Sequence, residues 1–448
     1  MEDRVILHID INHCYAQIEE MKNPSLRDVP MCVGGDEATR SGIVLARNLE
    51  AKKYGVKTAE TLRDAYAKCP NLKVVPASFD DYIYYTSKIK EIYSEYSDRV
   101  ESFGLDEAWV DVTHSWHLFG KKYDLARIIQ DRVFDEYGIT VSVGLSFNKI
   151  YAKLGSDLIK PSGIVIITPY NYKEIVWPLP VEDLLGIGAK TKPKLNEIGI
   201  MTIGDLANFN VKSLEARFGI VGRGMWMNAN GYEHGDVDFK GHVDAPKSIG
   251  NSTTPPSDIN TYEESLVILQ RLSESVAARL REAKMMGYVV SVGMRDINLV
   301  SFSRQRKVME PLNTSQEIMK HVKELVKENY DFGIPLRSIG IHVSKLIDEG
   351  SVKSQINLFE TIEDKNEEKV IDETIEMLRN KFGFHTIKRA SSLLNKEVDA
   401  FDAKNDNVVF PGRKDDYDMS KRHDNKILRK KVKPTKAEKE AWHKAKGE

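Results

Sequence analysis

Residues 102–113, SFGLDEAWVDVT, set two adjacent carboxylates, Asp106 and Glu107, inside a run that otherwise reads as a buried strand. An unpaired ion in apolar surroundings costs on the order of several kcal/mol, so a fold containing this run must bend it or surround it with cations. Successive side chains on a strand point to opposite faces, and both carboxylates can serve one site only if the backbone turns there. Gly104 supplies the freedom for that turn. A tight bend would let both acids face Asp10, which ends the strand RVILHID of residues 4–10.

Three carboxylates drawn together raise one another's pKa unless cations sit between them. Magnesium is the natural occupant, a hard ion held by a few carboxylates together with a substrate's phosphates. By itself an Asp-Glu pair is explained as well by a hairpin turn, where acidic residues are common. The apolar flanks and the separate Asp10 favour the ion site. Two divalent ions about 3.5–4 Å apart stabilise both oxygens of an in-line phosphoryl displacement. The pattern points to phosphoryl or nucleotidyl transfer.

The rest of the chain supports an α+β multidomain protein. From residue 4 to about 170, strands and amphipathic helices interleave, which calls for one sheet covered by helices. Asn12 is placed to cap a helix through residues 13–23, stopped by Pro24, and ARNLEAKKYG reads as a helix closed by Gly55. Beyond Pro178 and Pro180 the texture changes to short helices broken by glycines, continuing to about residue 233. A polar linker follows. Residues 247–346 then run strand, helix, strand, strand, helix, strand, the ferredoxin-like β-α-β-β-α-β order.

The first residues are acidic and no stretch approaches the roughly 18 apolar residues that span a bilayer, so no membrane role and a cytoplasmic location are expected. Cys14, Cys32 and Cys69 share no CxxC spacing and read as reduced packing residues. Formal net charge is −2, yet the last 28 residues carry 11 Lys/Arg against 4 Asp/Glu. Such an arm either samples phosphates by counterion release or is a solvated tail.

Four segments in order, HIDINHCYAQIEE, VLARNLEAKKYGVK, GLDEAWVDVT and VSVGLSFNKIYAKLGSDLIKPSG, resemble the catalytic motifs of Y-family (translesion) DNA polymerases. In ARNLEAK and Asn12 they look nearest to the bacterial polymerase V catalytic subunit and its Gram-positive UV-resistance relatives. The resemblance implies a right hand: palm at 1–11 and 75–170, fingers at 12–74, a helix-hairpin-helix thumb at 171–235, a linker at 236–246, a little finger at 247–348, and a tail at 349–448. It implies low-fidelity translesion synthesis in DNA repair, with primer-template DNA and dNTPs as substrates. Two Mg²⁺ ions, replaceable by Mn²⁺, would be held by Asp10, Asp106, Glu107 and the Ile11 carbonyl.

By the same resemblance Tyr15 falls at the steric gate that clashes with a ribose 2′-OH, though periodicity alone makes it a core ring. Lys160 matches the lysine that meets the triphosphate, and Lys52 stands where many relatives place a nucleotide-contacting arginine. Two departures stand out: Gly104 where many members have serine, and Leu49 where many have tyrosine.

LLGIGAKTKPKLNEIGI has the helix-hairpin-helix pattern, with Gly186, Gly188 and Lys190 expected against DNA phosphates. In SFSRQRKV, Arg304 and Arg306 are expected to follow the phosphate backbone. QINLF resembles a sliding-clamp peptide, with Gln355 as polar contact and Leu358 and Phe359 as anchors. Accessory subunits are left open. Two rivals share these residues: an inactive DNA- or clamp-binding scaffold, and a metal-dependent nuclease.

Overall fold

The structure, a computed structural model, describes residues 4–35, 42–233, 235–242, 245–351, 362–383, 386–387 and 433–446. Its organising element is strand β1 (Ile6–Ile11), in which every residue is buried. β1 lies at the centre of a five-stranded sheet with β5 (Val100–Phe103), β6 (Glu107–Asp111), β7 (Val141–Ser146) and β8 (Ile164–Ile167), in the order β5-β6-β1-β7-β8. Only β7 and β8 pair in parallel.

Alternation along β1 splits the sheet's two coats. Leu7, Ile9 and Ile11, with Val141, Val143 and Leu145 of β7, face helices α4 (Phe79–Tyr93) and α5 (Leu125–Tyr137) in one apolar core. The opposite face carries Ile6, His8 and Asp10 beside Ser142, Gly144 and Ser146, and is covered by α6 (Lys149–Leu158). α6 lies very close to β7. A Cβ on Gly144 would come within 1.9 Å of the Ala152 carbonyl oxygen and 2.5 Å of the Ser156 amide nitrogen. Gly144→Ala therefore has no flexible neighbour to displace, and should lower stability by about 3 kcal/mol or more. Chemical denaturation checks this, and an unchanged midpoint would refute the packing.

Between β1 and α4 the chain makes a small lobe: α1 (Cys14–Lys22), the sheet β3-β2-β4 (β2 Met31–Gly34, β3 Val44–Arg47, β4 Lys73–Pro76) and helices α2 (Leu49–Lys53) and α3 (Leu62–Lys68). β4 pairs with β2 as far as Pro76, so this sheet runs past the expected boundary at residue 74. Two local expectations change. His13, in left-handed conformation, precedes α1 without a side-chain cap, because the Asn12 side chain is engaged by Thr140 and Ser142. ARNLEAKKYG is not one helix: Ala46 and Arg47 belong to β3, and Asn48 caps a short α2 by accepting from the Ala51 amide.

Helices α7 (Tyr172–Val176), α8 (Lys192–Asn196), α9 (Ile203–Asn208), α10 (Val211–Phe218) and α11 (Ile220–Ala229) enclose a second core around Leu184, Leu195, Leu206 and Leu214. The segment after them is anchored to the first sheet's edge. Val237 is fully buried with Ile6 and Trp109, Arg99 donates to the Val237 carbonyl (3.1 Å), and the Lys240 amide donates to the Asp98 carbonyl (2.9 Å).

The next unit has strands β9 (Ser248–Thr253), β10 (Met285–Asp296), β11 (Ser301–Leu312) and β12 (Leu336–Asp348), ordered β11-β10-β12-β9 with all neighbours antiparallel. Helices α12 (Tyr262–Glu282) and α13 (Ser315–Asn329) cover one face over a core of Leu272, Val276, Val290, Val322 and Ile341. α14 (Ile362–Phe382) joins this unit through Asp372, which accepts from the Ser315 amide and hydroxyl at 2.7 Å each and pairs with Arg281 at 3.1 Å.

The described part of the basic arm is not a solvated tail. Helix α15 (Lys436–Ala445) lies on α5. Trp442 stacks on Phe134 (centroids 4.3 Å apart, 12° between planes) and donates its indole N–H to Asp131 (2.8 Å). Lys439 and His443 approach Asp135, and Glu438 pairs with Arg27. Several of the arm's charges are thus matched by the chain's own charged groups. Cys14, Cys32 and Cys69 are free and buried, as expected, and no helix among the described residues is long and apolar enough to cross a membrane.

Candidate active site

The β1–β6 register places Asp10 directly opposite Glu107. Cross-strand partners emerge on the same face, so these two carboxylates are neighbours by construction. Gly104, at φ +78°, opens the turn of residues 104–106 between β5 and β6, and the Ile11 amide donates to the Asp106 carbonyl at 3.1 Å. Asp106 lies in the turn and Glu107 is the first residue of β6, so the expected bend brings both acids to the end of β1.

Cations from the α6 side meet this edge. Lys160 Nζ donates to Asp10 Oδ2 at 2.7 Å and stands 2.7 Å from Asp157; Lys153 Nζ donates to Glu107 Oε2 at 2.6 Å. His8, fully buried, has Nε2 3.1 Å from Glu107 Oε2 and Nδ1 2.8 Å from Ser156 Oγ. Burial pushes the Asp10 carboxyl up to about 6 despite Lys160, and Asp106 is raised by burial and by Glu107. Burial works the same way on Glu107, but His8 and Lys153 outweigh it and hold that acid down at about 2. His8 itself is lowered, chiefly by burial.

Among the described residues no three His, Cys, Asp or Glu side chains converge as they would around an ion; Asp10 and Glu107 are instead each paired with a lysine. The donor set nevertheless fits hard divalent ions. It is all oxygen, two of its members have raised pKa values that a closer cation would relieve, and the Tyr93 hydroxyl, held near Asp10 and Asp106, is buried without a partner. The loop after α6 is fixed beside this edge: Gln130 donates to the carbonyls of Val141 (2.7 Å) and Ser162 (3.0 Å), and Asn12 donates to Thr140 Oγ1 (3.0 Å).

Tyr15 sits half-buried on α1, its ring stacked on Tyr82 (centroids 4.4 Å, 9°) with Phe79 edge-on at 6.0 Å. Tyr82 is fully buried and its hydroxyl donates to Glu19 at 2.8 Å. Lys52 is exposed on α2, and Leu49 at its first position is 41% exposed.

Farther out, Gly186 has φ +96° and neither Gly186 nor Gly188 has a heavy atom near its would-be Cβ, so both leave open backbone, with exposed Lys190 beyond them. Arg304 and Arg306 are placed differently from expectation. Both face α13, where Arg306 pairs with Glu324 and with Glu328 (2.8 Å) and Arg304 donates to Asn329 (3.2 Å). The open face of β11 presents Ser301, Ser303, Gln305 and Lys307, because Phe302 and Val308 draw the even positions to the core. Across the sheet the same open face continues in small residues, with Ser303 level with Gly293, Gly340 and Ser252. Gln355, Leu358 and Phe359 lie outside the described residues.

His8 and Lys153 were not singled out in the sequence. The signal for His8 was present, since it lies two residues before Asp10 and so on the same strand face. Lys153 offered less, being one of two lysines in α6.

Palm sheet, acid-bearing turn, small-helix domain and βαββαβ unit together are the architecture of right-handed polymerases of the Y type. The chain superposes on a Y-family DNA polymerase chimera of Dbh and Dpo4 with a TM-score of 0.69, at 25% identity over 77% of this chain and 99% of that one. It belongs to the impB/mucB/samB family, whose model matches residues 9–157 and whose C-terminal domain matches residues 246–358. Relatives include DNA polymerase IV of Acetivibrio thermocellus, 41% identical over 88% of this chain and 98% of that protein, and DNA polymerase IV 2 of Bacillus subtilis, 36% identical over 88% and 95%. The family expectation is met; the relatives cited carry the polymerase IV name, not that of the polymerase V subunit.

Proposed function

We propose that this chain is a template-directed DNA polymerase that extends a primer 3′-OH with dNTPs across damaged as well as intact templates. The observation that carries the reading is the β1–β6 register, which sets Asp10 opposite Glu107 with Asp106 in the adjoining turn. We assign divalent-ion binding to Asp10, Asp106, Glu107 and the Ile11 carbonyl, with magnesium as the ion and manganese as a substitute. Such ions, when bound, lower the charge on the reacting oxygens and hold the triphosphate.

The chain's own residues do the rest. Lys160 exchanges its ion pair with Asp10 for the triphosphate as substrate enters, which leaves that carboxylate for ligation. Lys153 and His8 keep Glu107 ionised and oriented. Tyr15, braced by Tyr82, lies under the sugar, and Lys52 reaches the nucleotide from the finger lobe. Primer-template DNA lies along Gly186, Gly188 and Lys190 and on the open face of the β9–β12 sheet, with Lys307 and Gln305 taking the role first given to Arg304 and Arg306. The domain limits are those expected above, except that the finger lobe extends to Pro76 and the second palm segment begins at residue 77. Residues 355–359 are assigned to a sliding clamp on their sequence alone.

The test is primer extension with Mg²⁺ and four dNTPs on intact and abasic templates. Extension on both supports the reading. Absence of extension would point to a binding scaffold, and primer shortening without dNTPs to a nuclease.

A further inference from the structure

The acid-bearing turn is gripped from beneath by a buried lysine. Lys90 of α4 is only 7% exposed, and its Nζ donates to Ser102 Oγ and to the Gly104 carbonyl, each at 2.9 Å. Both acceptors lie on the entering side of the bend: Ser102 is within β5, and Gly104, at φ +78°, is the first residue of the turn. The helix that carries Lys90 is itself immobilised, because Tyr82, Tyr85, Ile89, Ile92 and Tyr93 on either side of it are all built into the palm core.

Leu105, the next residue, packs against the palm core, while position 104 contributes no side chain to hold the turn. A Cβ there would find nothing nearer than Asp106 Oδ1 at 3.9 Å, so the space is open and the backbone is free of steric restraint on that side. Glycine is also the residue with the most backbone freedom to lose. Beyond the Leu105 anchor, what holds the backbone at Gly104 helps fix the direction in which Asp106 and Glu107 leave the turn. A neutral donor would satisfy a hydroxyl and a carbonyl equally well, and burying an ammonium costs on the order of several kcal/mol unless it meets negative charge. Negative charge is at hand in Asp106, two residues beyond the gripped carbonyl and within electrostatic reach of the ammonium.

We propose that Lys90 is a positioning residue for the acidic turn, clamping Ser102 and the Gly104 carbonyl so that Asp106 and Glu107 are aimed at the ion site. This rests on the assignment of Asp106 as an ion ligand. Partners one step removed from a metal ligand typically change affinity by about 10–100-fold when removed.

The test uses the full-length protein and Mn²⁺ alone, with bound ion read by electron paramagnetic resonance, beside thermal unfolding in the absence of metal. Lys90→Met should bind Mn²⁺ about tenfold more weakly and unfold at a somewhat lower temperature, since the Ser102 hydroxyl and the Gly104 carbonyl lose their buried donor. Lys90→Arg should recover most of the affinity. A Lys90→Met protein that unfolds earlier yet binds Mn²⁺ like wild type would show a merely structural lysine and overturn the proposal. Should that variant fail to fold, Ser102→Ala, which removes one of the two clamped acceptors, should likewise weaken Mn²⁺ binding, and wild-type affinity in it would overturn the proposal. Asp106→Ala separates the premises: if it binds Mn²⁺ normally, the ligand assignment falls; if it does not and Lys90→Met does, only the role of Lys90 falls.

Discussion

Asp106→Ala should reduce single-turnover primer extension by at least about three orders of magnitude while leaving the fold intact. Asp106 lies in a turn at the end of the central sheet, so its truncation removes no core packing. What it removes is one of the acidic groups proposed above to bind the divalent ions, and a bound ion contributes several kcal/mol to a phosphoryl transition state, with roughly 1.4 kcal/mol per tenfold in rate. Relief of repulsion within the acidic group works in the opposite direction and should make the metal-free variant no less stable than wild type. Rapid-quench extension together with thermal unfolding checks both halves. Activity within about tenfold of wild type would remove Asp106 from the mechanism.

Tyr15→Ala should relax the preference for deoxyribonucleotides by about 10–100-fold, with a smaller effect on dNTP incorporation. A ring can exclude a single hydroxyl only if it cannot move aside, because squeezing one extra heavy atom into a packed site costs about 1–3 kcal/mol. Tyr15 meets that condition. Tyr82 stacks flat against it at 4.4 Å, and Tyr82 is itself fully buried and tied to Glu19. Tyr15→Phe keeps the stack and should keep the discrimination. The measurement is the ratio of kcat/KM for dNTP to that for the matching rNTP in each protein. An unchanged ratio in Tyr15→Ala would return this ring to the role of core packing that its helical spacing alone suggests.

Much of the scaffold could be read in advance because buried strands and amphipathic helices announce themselves by period. β1, β7 and α4 are examples, and the bend at Gly104 followed from the clash between strand alternation and an adjacent acidic pair. What stayed hidden depended on partners distant in the chain. Asn12 looks like a helix cap until Thr140 and Ser142 take its side chain. Arg304 and Arg306 alternate with polar residues, and nothing local says which set meets α13; Phe302 and Val308 decide it by entering the core. α15 has too little apolar surface to declare a docking site, and its Trp442 finds Phe134 across more than half the chain. The lysines at the site are invisible for a related reason, since a lysine in a helix says nothing of which carboxylate it will meet.

The position of β1 carries a consequence for how this protein fails. It is hydrogen-bonded along both edges, to β6 and to β7, and coated on both faces, so its amides should exchange with deuterium only through global opening of the domain. Asp10 rides on that strand. Heat should therefore dislodge Asp10 only when the palm sheet itself melts.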